Sequence, residues 1–344
     1  MMRGEWRRYR LEFSFLAITS RERLSSKDTY FLRVWDDGRP GVYGLGEAAL
    51  FRGLSCDDRP GYEDMLAKVC GDVERYAAEP WLLDEWPSIR MGLETALADL
   101  ASGGRMLPFG PVEPLRINGL VWMGDEATMA RRIDEKLAQG FRCIKIKVGG
   151  IDTEREIALV EELRRRAPQV ELRLDANGAF TLREALRFMD RVAPLGIHSV
   201  EQPVRAGRWA DMAELCRESP VAVALDEELI GLNDDDSRQR MLDVVAPQWV
   251  VLKPTLCGGF SGADRWIELA SGRGIGWWAT SALESNVGLN AIASWLSSRG
   301  DAAPMAQGLG TGMLYTNNIV SPLVCEGETL RVNPAGRWQT DGLF

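Results

Sequence analysis

The hydrophobic pattern of the chain changes at about residue 113. Before this point, residues 6–16 and 29–35 alternate apolar and polar side chains, which is typical of strands with one buried face. Residues 61–78 and 87–103 have helical periodicity, and the second stretch ends at a glycine. Strands followed by helices predict an α+β module in this part of the chain.

After this point, short apolar strands alternate with helical stretches. This rhythm indicates βαβ units, and eight strand candidates at fairly even spacing favour a closed α/β barrel over an open sheet. The strand candidates are residues 114–121, 142–148, 170–176, 197–203, 221–227, 248–254, 275–281 and 304–310. The helical stretches include 153–166, 181–193, 261–272 and 287–298. We expect an N-terminal module at 1–112, a barrel at 113–315, and a segment at 316–344 that packs back on the N-terminal module.

Charged residues interrupt five of the predicted strands near their C-terminal ends. A strand buried in a parallel sheet usually reads as continuous apolar residues, so these charges are unusual. Successive charged positions lie about 25–28 residues apart, roughly one strand–helix unit. They therefore recur at one height, the C-terminal rim where active sites of such barrels lie. The residues are Lys145, Lys147, Asp175, Glu201, Asp226 and Lys253.

The lysines of this set suggest acid–base chemistry. Lys145 and Lys147 are two residues apart on one strand, so their side chains point the same way. Mutual repulsion and burial would each lower a lysine pKa and so favour a general base. Lys253 lies about half a turn round the predicted barrel. Exposure of the first two lysines on an edge strand is the alternative interpretation.

The carboxylates of the set suggest a metal site. Asp175, Glu201 and Asp226 supply one carboxylate each from three adjacent predicted strands. Such oxygen ligands suit Mg²⁺, with Mn²⁺ as the alternative. A metal between lysines would suit removal of a proton next to a substrate carboxylate. Salt bridges from the carboxylates to the three lysines are the competing interpretation.

Composition narrows the chemistry and the partners. The 344 residues include a single histidine, His198, so histidine-based nucleophile systems would depend on it and multi-histidine zinc sites are excluded. His198 precedes Glu201 by three residues, which predicts packing on the opposite strand face, against the helices. A net charge of −9 argues against a nucleic-acid partner. We predict a cytoplasmic protein, because the six cysteines are scattered and the sequence has no signal-peptide pattern and no membrane-length apolar run. The predicted lysine and metal sites indicate an enzyme with a small-molecule carboxylate substrate.

Three polar residues after the seventh predicted strand are candidate substrate ligands. Ser281, Ser285 and Asn286 precede a helix, whose N-terminus and nearby hydroxyls suit a carboxylate. An ordinary helix cap at Ser285 is the alternative. Gly310 and Thr311 lie in a glycine-rich stretch that would bring backbone N–H groups close to a ligand or form a tight loop.

Residues 41–55 form a glycine-rich segment of the N-terminal module. One interpretation is a mobile lid over the barrel mouth, with Phe51 or Arg52 touching substrate. A structural hairpin is the other.

Five motifs, in this order and spacing, resemble the muconate-lactonizing subgroup of the enolase superfamily. They are KIK (145–147), LDAN (174–177), VEQP (200–203), LDEE (225–228) and VLKP (251–254). GLGEA (44–48) and IRMGLETALADL (89–100) extend the resemblance over most of the chain. It implies a modified (β/α)₇β TIM barrel with an α+β capping domain. It also implies Mg²⁺ on Asp175, Glu201 and Asp226, catalytic Lys147 and Lys253, a supporting Lys145, and Asn177 near the substrate.

Within that subgroup, residues 280–295 and 307–318 are most similar to the o-succinylbenzoate synthases. This similarity implies a lyase that removes water from a succinyl-bearing cyclohexadiene carboxylate, on the route to menaquinone. Dipeptide epimerases of the subgroup usually carry an Asp-x-Asp motif after the eighth strand, whereas residues 308–312 contain no carboxylate. A racemase or epimerase using Lys147 and Lys253 as two bases is the first alternative. A catalytically silent homologue is the second.

Overall fold

The N-terminal module is an antiparallel sheet covered by helices. The computed structural model describes residues 1–18, 23–301 and 305–344. Three strands pair in chain order. The predicted strands and the predicted second helix of this part are confirmed, whereas the predicted first helix is divided in two. The elements are β1 (Met2–Ile18), β2 (Arg23–Asp36), β3 (Tyr43–Ala48), α1 (Tyr62–Gly71), α2 (Val73–Ala78) and α3 (Pro87–Ala101), with a short 3₁₀ turn at Pro80–Leu83.

Two local features shape this module. The predicted helix 61–78 is interrupted at Asp72, whose side chain accepts from the Arg75 N–H and starts α2. The glycines of GLGEA let β3 approach α3 closely, because a Cβ at Gly46 would overlap the carbonyl oxygen of Gly92. Residues 41–55 therefore contribute a structural strand to the sheet.

The rest of the chain forms the predicted parallel sheet with helices outside it. Seven strands are hydrogen-bonded in chain order from β5 to β11. The elements are β4 (Leu115–Arg116), β5 (Gly119–Val121), α4 (Glu126–Ala138), β6 (Cys143–Lys147), α5 (Thr153–Arg166), β7 (Glu171–Asp175), α6 (Leu182–Val192), β8 (Ser199–Glu201), α7 (Trp209–Glu218), β9 (Val223–Leu225), α8 (Asp235–Val245), β10 (Trp249–Leu252), α9 (Gly259–Ser271), β11 (Gly276–Ala279), α10 (Asn286–Ser298), β12 (Leu323–Glu326) and β13 (Thr329–Val332). Every helix in the described part of the chain is too short or too polar to cross a membrane.

The eighth barrel position differs from the prediction. Instead of a strand over 304–310, two isolated parallel bridges close the curled sheet. Gln307 pairs with Ile117 beside the first strand, and Gly308 pairs with Thr280 after the seventh. The predicted strand 114–121 is also divided, because β4 pairs with β13 whereas β5 pairs with β6. Pro304, the first residue of the predicted eighth strand, lies outside the described residues.

Strand register brings the charged residues to the inside of the barrel. Lys147 lies beside Asp175, and Asp175 lies beside Glu201. Neighbours in register on parallel strands point to the same side of a sheet. The intervening Ile144 and Ile146 are fully buried in the apolar layer between the strands and the helices. The alternation predicted from the KIK motif is therefore present in the structure.

His198 lies at the N-terminal end of the barrel interior. Its ring centroid is 4.8 Å from that of Trp249 and 6.0 Å from that of Trp278. Trp249 is in register with Ala224, which is in register with Glu201, so the Trp249 side chain points into the barrel. The prediction that His198 packs against the helices is corrected, because it precedes the first residue of β8 and escapes the strand alternation.

Residues 316–344 contact both parts of the molecule. The Thr316 N–H donates to the Glu12 carbonyl at 2.9 Å, and the Phe344 ring centroid lies 4.6 Å from the Arg33 guanidinium carbon. The same segment contains the hairpin of β12 and β13, and β13 pairs with β4. The segment thus joins the N-terminal sheet to the start of the barrel.

Candidate functional site

The lysine pair of β6 faces the carboxylates of the next two strands. Lys145 Nζ lies 3.0 Å from Asp175 Oδ2 and 3.0 and 3.1 Å from the two carboxylate oxygens of Glu201. Lys147 Nζ lies 2.9 Å from Asp175 Oδ2 and donates to Asn177 Oδ1 at 2.6 Å. All five residues are buried, so these charges interact with little screening by water.

A second group of charges lies on the strands that follow. Lys253 Nζ is 2.5 Å from Asp226 Oδ2. The Asn177 amide donates to Glu227 Oε1 at 2.9 Å and so joins this group to Lys147. Asn177 has a φ of 46°, a left-handed conformation that asparagine tolerates better than most residues. The backbone there turns back, and the Asn177 N–H donates to Asp175 Oδ1 at 3.1 Å.

The ion pairs reverse the expected shift of the Lys145 pKa. Burial by itself would lower the pKa of Lys145, but the negative charges of Asp175 and Glu201 outweigh it and raise that pKa. Burial likewise opposes the charge of Lys253, and Asp226 beside it shifts the pKa upward. The expected lowering by lysine–lysine repulsion is therefore wrong for Lys145, because carboxylates on the neighbouring strands compensate the repulsion.

The carboxylates fit a divalent cation by their chemistry. Burial raises the pKa of Glu201 to about 8, and the negative charges of Asp175 and Asp226 add to the effect. With Glu227, four carboxylates face three lysines, which leaves excess negative charge that a hard cation would neutralise. Among the described residues, no three acidic side chains are close enough together to form a ready metal site. Lysine ammonium groups lie against Asp175 and Asp226 instead. A bound cation would therefore take the place of ammonium groups on these oxygens.

Five of these charged residues line a cavity of about 890 Å³, namely Lys145, Lys147, Asp175, Glu227 and Lys253. Glu201 and Asp226 are buried and paired with two of those lysines. Phe51 and Leu54 of the N-terminal module and Trp122 after β5 form apolar parts of its wall. Among the predicted substrate ligands, the cavity is lined by Asn177, Ser281, Gly310 and Thr311. Thr311 Oγ1 is buried, and no hydrogen-bond partner for it occurs in residues 1–18, 23–301 and 305–344.

Comparison with known proteins identifies the family of this chain. A family described as "Enolase C-terminal domain-like" matches residues 128–336. An o-succinylbenzoate synthase from Desulfotalea psychrophila is 43% identical, over 96% of this chain and 99% of that protein. The chain belongs to the enolase superfamily. The crystal structure of MenC from Desulfotalea psychrophila superposes with a TM-score of 0.81 at 42% identity, covering 96% of this chain and 99% of that one.

A more distant enolase-superfamily relative has a different reaction in its name. The L-Ala-D/L-Glu epimerase of Bacillus subtilis is 31% identical, over 70% of this chain and 64% of that protein. Enzymes of the superfamily act on small molecules and generally use a divalent metal, as the carboxylate set indicates. The shared fold is a TIM-barrel-like α/β structure with a capping domain.

Two predicted substrate ligands are engaged elsewhere in this enolase-superfamily chain. Ser285 donates its N–H and its hydroxyl to the buried Glu47 carboxylate at 2.9 and 2.5 Å, and Gly288 N–H donates to the same group at 2.8 Å. The Asn286 side chain donates to the Ile319 carbonyl at 2.7 Å. The N-terminus of α10 is thus occupied by a carboxylate of the protein itself. Ser285 caps the helix, and both residues leave the candidate substrate set.

For residues 41–55, the structure supports the structural alternative, and a mobile lid stays a prediction. Tyr43–Ala48 is a structural strand, and Phe51 lines the cavity as the lid interpretation expected. Arg52 instead turns away to Asp58, with Nη1 2.6 Å from Oδ1. Phe51 is therefore the residue of this segment placed to touch a ligand.

Sequence reasoning missed two residues of the site. Glu227 was part of the LDEE motif but received no role, although a second acid after Asp226 in a buried stretch was a usable signal. Trp122 lies with its ring centroid 5.8 Å from Lys147 Nζ. No feature of the sequence distinguishes this tryptophan from the other eleven, because only the fold places it beside a lysine.

Proposed function

We propose that this enzyme is an o-succinylbenzoate synthase of menaquinone biosynthesis. It removes water from 2-succinyl-6-hydroxy-2,4-cyclohexadiene-1-carboxylate to give o-succinylbenzoate. The observation that carries the proposal is that Lys147 and Lys253 lie on the wall of one cavity, each paired with a carboxylate of the proposed metal site. The identity of 43% to the Desulfotalea synthase over nearly the whole of both chains supports the choice of reaction.

The chemistry requires a base and an acid close to the same carbon. The neutral amine of Lys147 takes the proton from the carbon next to the ring carboxylate. The C–O bond to the ring hydroxyl then breaks, and the Lys147 ammonium returns the proton to the departing oxygen as water leaves from the same face. Asn177 orients Lys147 through its 2.6 Å hydrogen bond. Lys253 stays protonated and faces the ring as a cation.

We propose that Asp175, Glu201 and Asp226 hold Mg²⁺, with Mn²⁺ as an alternative. A cation held there would supply positive charge for the electrons that move onto the substrate carboxylate. Lys145 supports this group through its contacts with Asp175 and Glu201. The excess of negative charge around Glu201 supports the assignment.

We assign the remaining contacts to the cavity wall. Ser281, Gly310 and Thr311 are proposed to contact the substrate, because each lines the cavity. The buried Thr311 hydroxyl supports this proposal most directly, since a ligand oxygen would satisfy it. The division into a capping domain (1–112), a barrel (113–315) and a returning segment (316–344) is proposed with it. A cytoplasmic location is also proposed, supported by six unpaired cysteines.

An N-acylamino-acid racemase or dipeptide epimerase is the second candidate function. It is favoured by the presence of two lysines, Lys147 and Lys253, on well-separated strands of one site, as a two-base mechanism requires. The Bacillus epimerase is related over a smaller part of the chain. Gly308–Gly312 carries no carboxylate to hold a substrate ammonium group, which favours the synthase.

Two parallel assays with Mg²⁺ test the proposal. One follows dehydration of the succinyl-cyclohexadiene substrate by absorbance, and the other follows racemisation of an N-succinylamino acid. Fast dehydration with slow racemisation supports the synthase, and the reverse supports the racemase. Lys147→Ala should abolish dehydration while calorimetry still detects metal binding. Near-normal turnover by that variant would rule out the mechanism.

A further inference from the structure

The substrate of the proposed function carries two carboxylates. One is attached to the ring beside the proton that is removed. The lysines and the proposed metal site supply the positive charge for this group. The other ends the succinyl chain. A carboxylate brought into a cavity without a counter-ion loses much of its hydration free energy, so the second group needs a cation of its own.

The N-terminus of α10 is not available for this purpose. Its N–H groups at Ser285 and Gly288 already donate to the Glu47 carboxylate. Glu284, next to the cap, is buried as well and accepts from the Ser281 hydroxyl at 2.5 Å. The donors at this helix N-terminus and the Ser281 hydroxyl are therefore already engaged by carboxylates of the protein.

Arg132 on α4 offers the missing positive charge. It lines the cavity and is half-buried. Its Nη1 donates to the carbonyl oxygens of Trp122 and Met123 at 2.8 and 2.7 Å, which fixes the guanidinium group in place. In residues 1–18, 23–301 and 305–344, no carboxylate lies within 4.0 Å of it. Arg131 and Lys136 of the same helix also line the cavity. However, Arg131 is exposed and paired with Glu135, and Lys136 donates to Gln139.

Trp122 connects Arg132 to the reacting centre. Its ring centroid is 5.8 Å from Lys147 Nζ, and its carbonyl holds Arg132. Phe15 lies on the same wall, with its ring centroid 5.9 Å from that of Trp122 and 5.8 Å from the Arg132 guanidinium carbon. A ligand that begins at Lys147 and extends along these rings points its far end toward Arg132. The described hydrogen bonds of Arg132 use Nη1 alone, so its other nitrogens suit a bidentate carboxylate contact.

We infer that Arg132 is the counter-ion of the substrate's second carboxylate, the group at the end of the succinyl chain. The inference rests on the proposed function and deepens it. It makes Arg132 a specificity-determining residue, which selects ring acids that carry a second carboxylate on a flexible arm. Trp122 and Phe15 flank that arm.

The test combines three variants with two ligands. Arg132→Gln removes the charge, Arg132→Lys keeps it without the bidentate geometry, and Arg131→Gln removes an adjacent charge as the matched control. Dehydration is measured with the dicarboxylate substrate and with its analogue in which the succinyl carboxylate is a carboxamide. Calorimetry on the Mg²⁺-loaded proteins measures binding of o-succinylbenzoate and of the corresponding amide.

Arg132→Gln is expected to lower kcat/KM for the dicarboxylate about 10- to 100-fold, mostly through KM, and to weaken o-succinylbenzoate binding similarly. For the carboxamide analogue and the amide, kcat/KM and binding affinity should differ little between the variant and the original protein. Arg132→Lys should restore part of the loss. An equal loss with both ligands, or an equal loss in Arg131→Gln, would overturn the inference. An original protein that does not dehydrate the substrate overturns the proposed function and the inference with it. If the original protein is active and Arg132→Gln has the same kcat/KM, the inference is overturned but the proposed function stands.

Discussion

Replacing Glu47 with alanine should destabilise the protein by about 3–5 kcal/mol. Glu47 is fully buried on β3 and accepts hydrogen bonds from the Thr29 hydroxyl, the Ser285 N–H and hydroxyl, and the Gly288 N–H, at 2.5 to 2.9 Å. Its loss leaves these donors without an acceptor away from water, at about 1–3 kcal/mol for each unsatisfied group. The substitution also removes a negative charge close to Lys27. Burial lowers the pKa of Lys27, and the charge of Glu47 opposes that effect.

Equilibrium unfolding in urea, followed by circular dichroism, measures this change in the free energy of unfolding. Thr29→Val is the matched control, because it removes one donor and leaves the carboxylate with the others, and it should cost about 1 kcal/mol. Metal affinity should stay unchanged in the Glu47 variant, because the proposed ligands lie elsewhere: Asp175 on β7, Glu201 on β8 and Asp226 directly after β9. A Glu47→Ala protein within about 1 kcal/mol of the original would show that the donors at Thr29, Ser285 and Gly288 do not depend on this carboxylate for stability.

Three further changes test other parts of the structure. Asp226→Asn should weaken Mg²⁺ binding at least tenfold in calorimetry, and unchanged affinity would remove this residue from the metal site. Gly46→Ala should lower the free energy of unfolding by about 1–3 kcal/mol or more, because its Cβ overlaps the Gly92 carbonyl, whereas Gly71→Ala, with open space around it, should not. Asp57 is buried against α3, and burial raises its pKa to about 6. Its charge therefore destabilises the fold above pH 6, and Asp57→Asn should gain stability over the original protein progressively from pH 4 to pH 6, by up to about 3 kcal/mol, then level off. A difference that is constant with pH would contradict that reasoning.

The strand charges show what a sequence can reveal about a barrel site. Lys147, Asp175 and Glu201 were predictable together, because an ion in a buried strand is unusual and its repetition at one strand–helix spacing indicates a shared rim. The structure brings these residues into register, as the pattern required. The same reasoning could not say what each charge faces, and so it gave the wrong direction for the Lys145 pKa.

Residues outside the strands were harder to assign, because their roles depend on distant partners. Ser285 had the expected helix cap position, but the sequence did not show that Glu47, more than 200 residues earlier, fills the same helix N-terminus. His198 precedes its strand by one residue, and this offset was enough to change its surroundings. Gln307 and Gly308 each form one isolated bridge, and such single bridges leave no periodic pattern in the sequence.

That closure has a consequence for synthesis of the protein on the ribosome. Gln307 donates its N–H to the Arg116 carbonyl at 2.8 Å, accepts from the Asn118 N–H at 3.0 Å, and accepts from the Ala279 N–H at 2.7 Å through its side chain. After Ala279 has emerged from the ribosome, about 30 further residues must emerge before the seam can form, which takes roughly 2–6 s at ordinary translation rates. During that interval the nascent sheet has two open edges, at β5 and at β11, which are sites for aggregation or chaperone binding. A ribosome pause during that interval would therefore prolong the exposure of both edges.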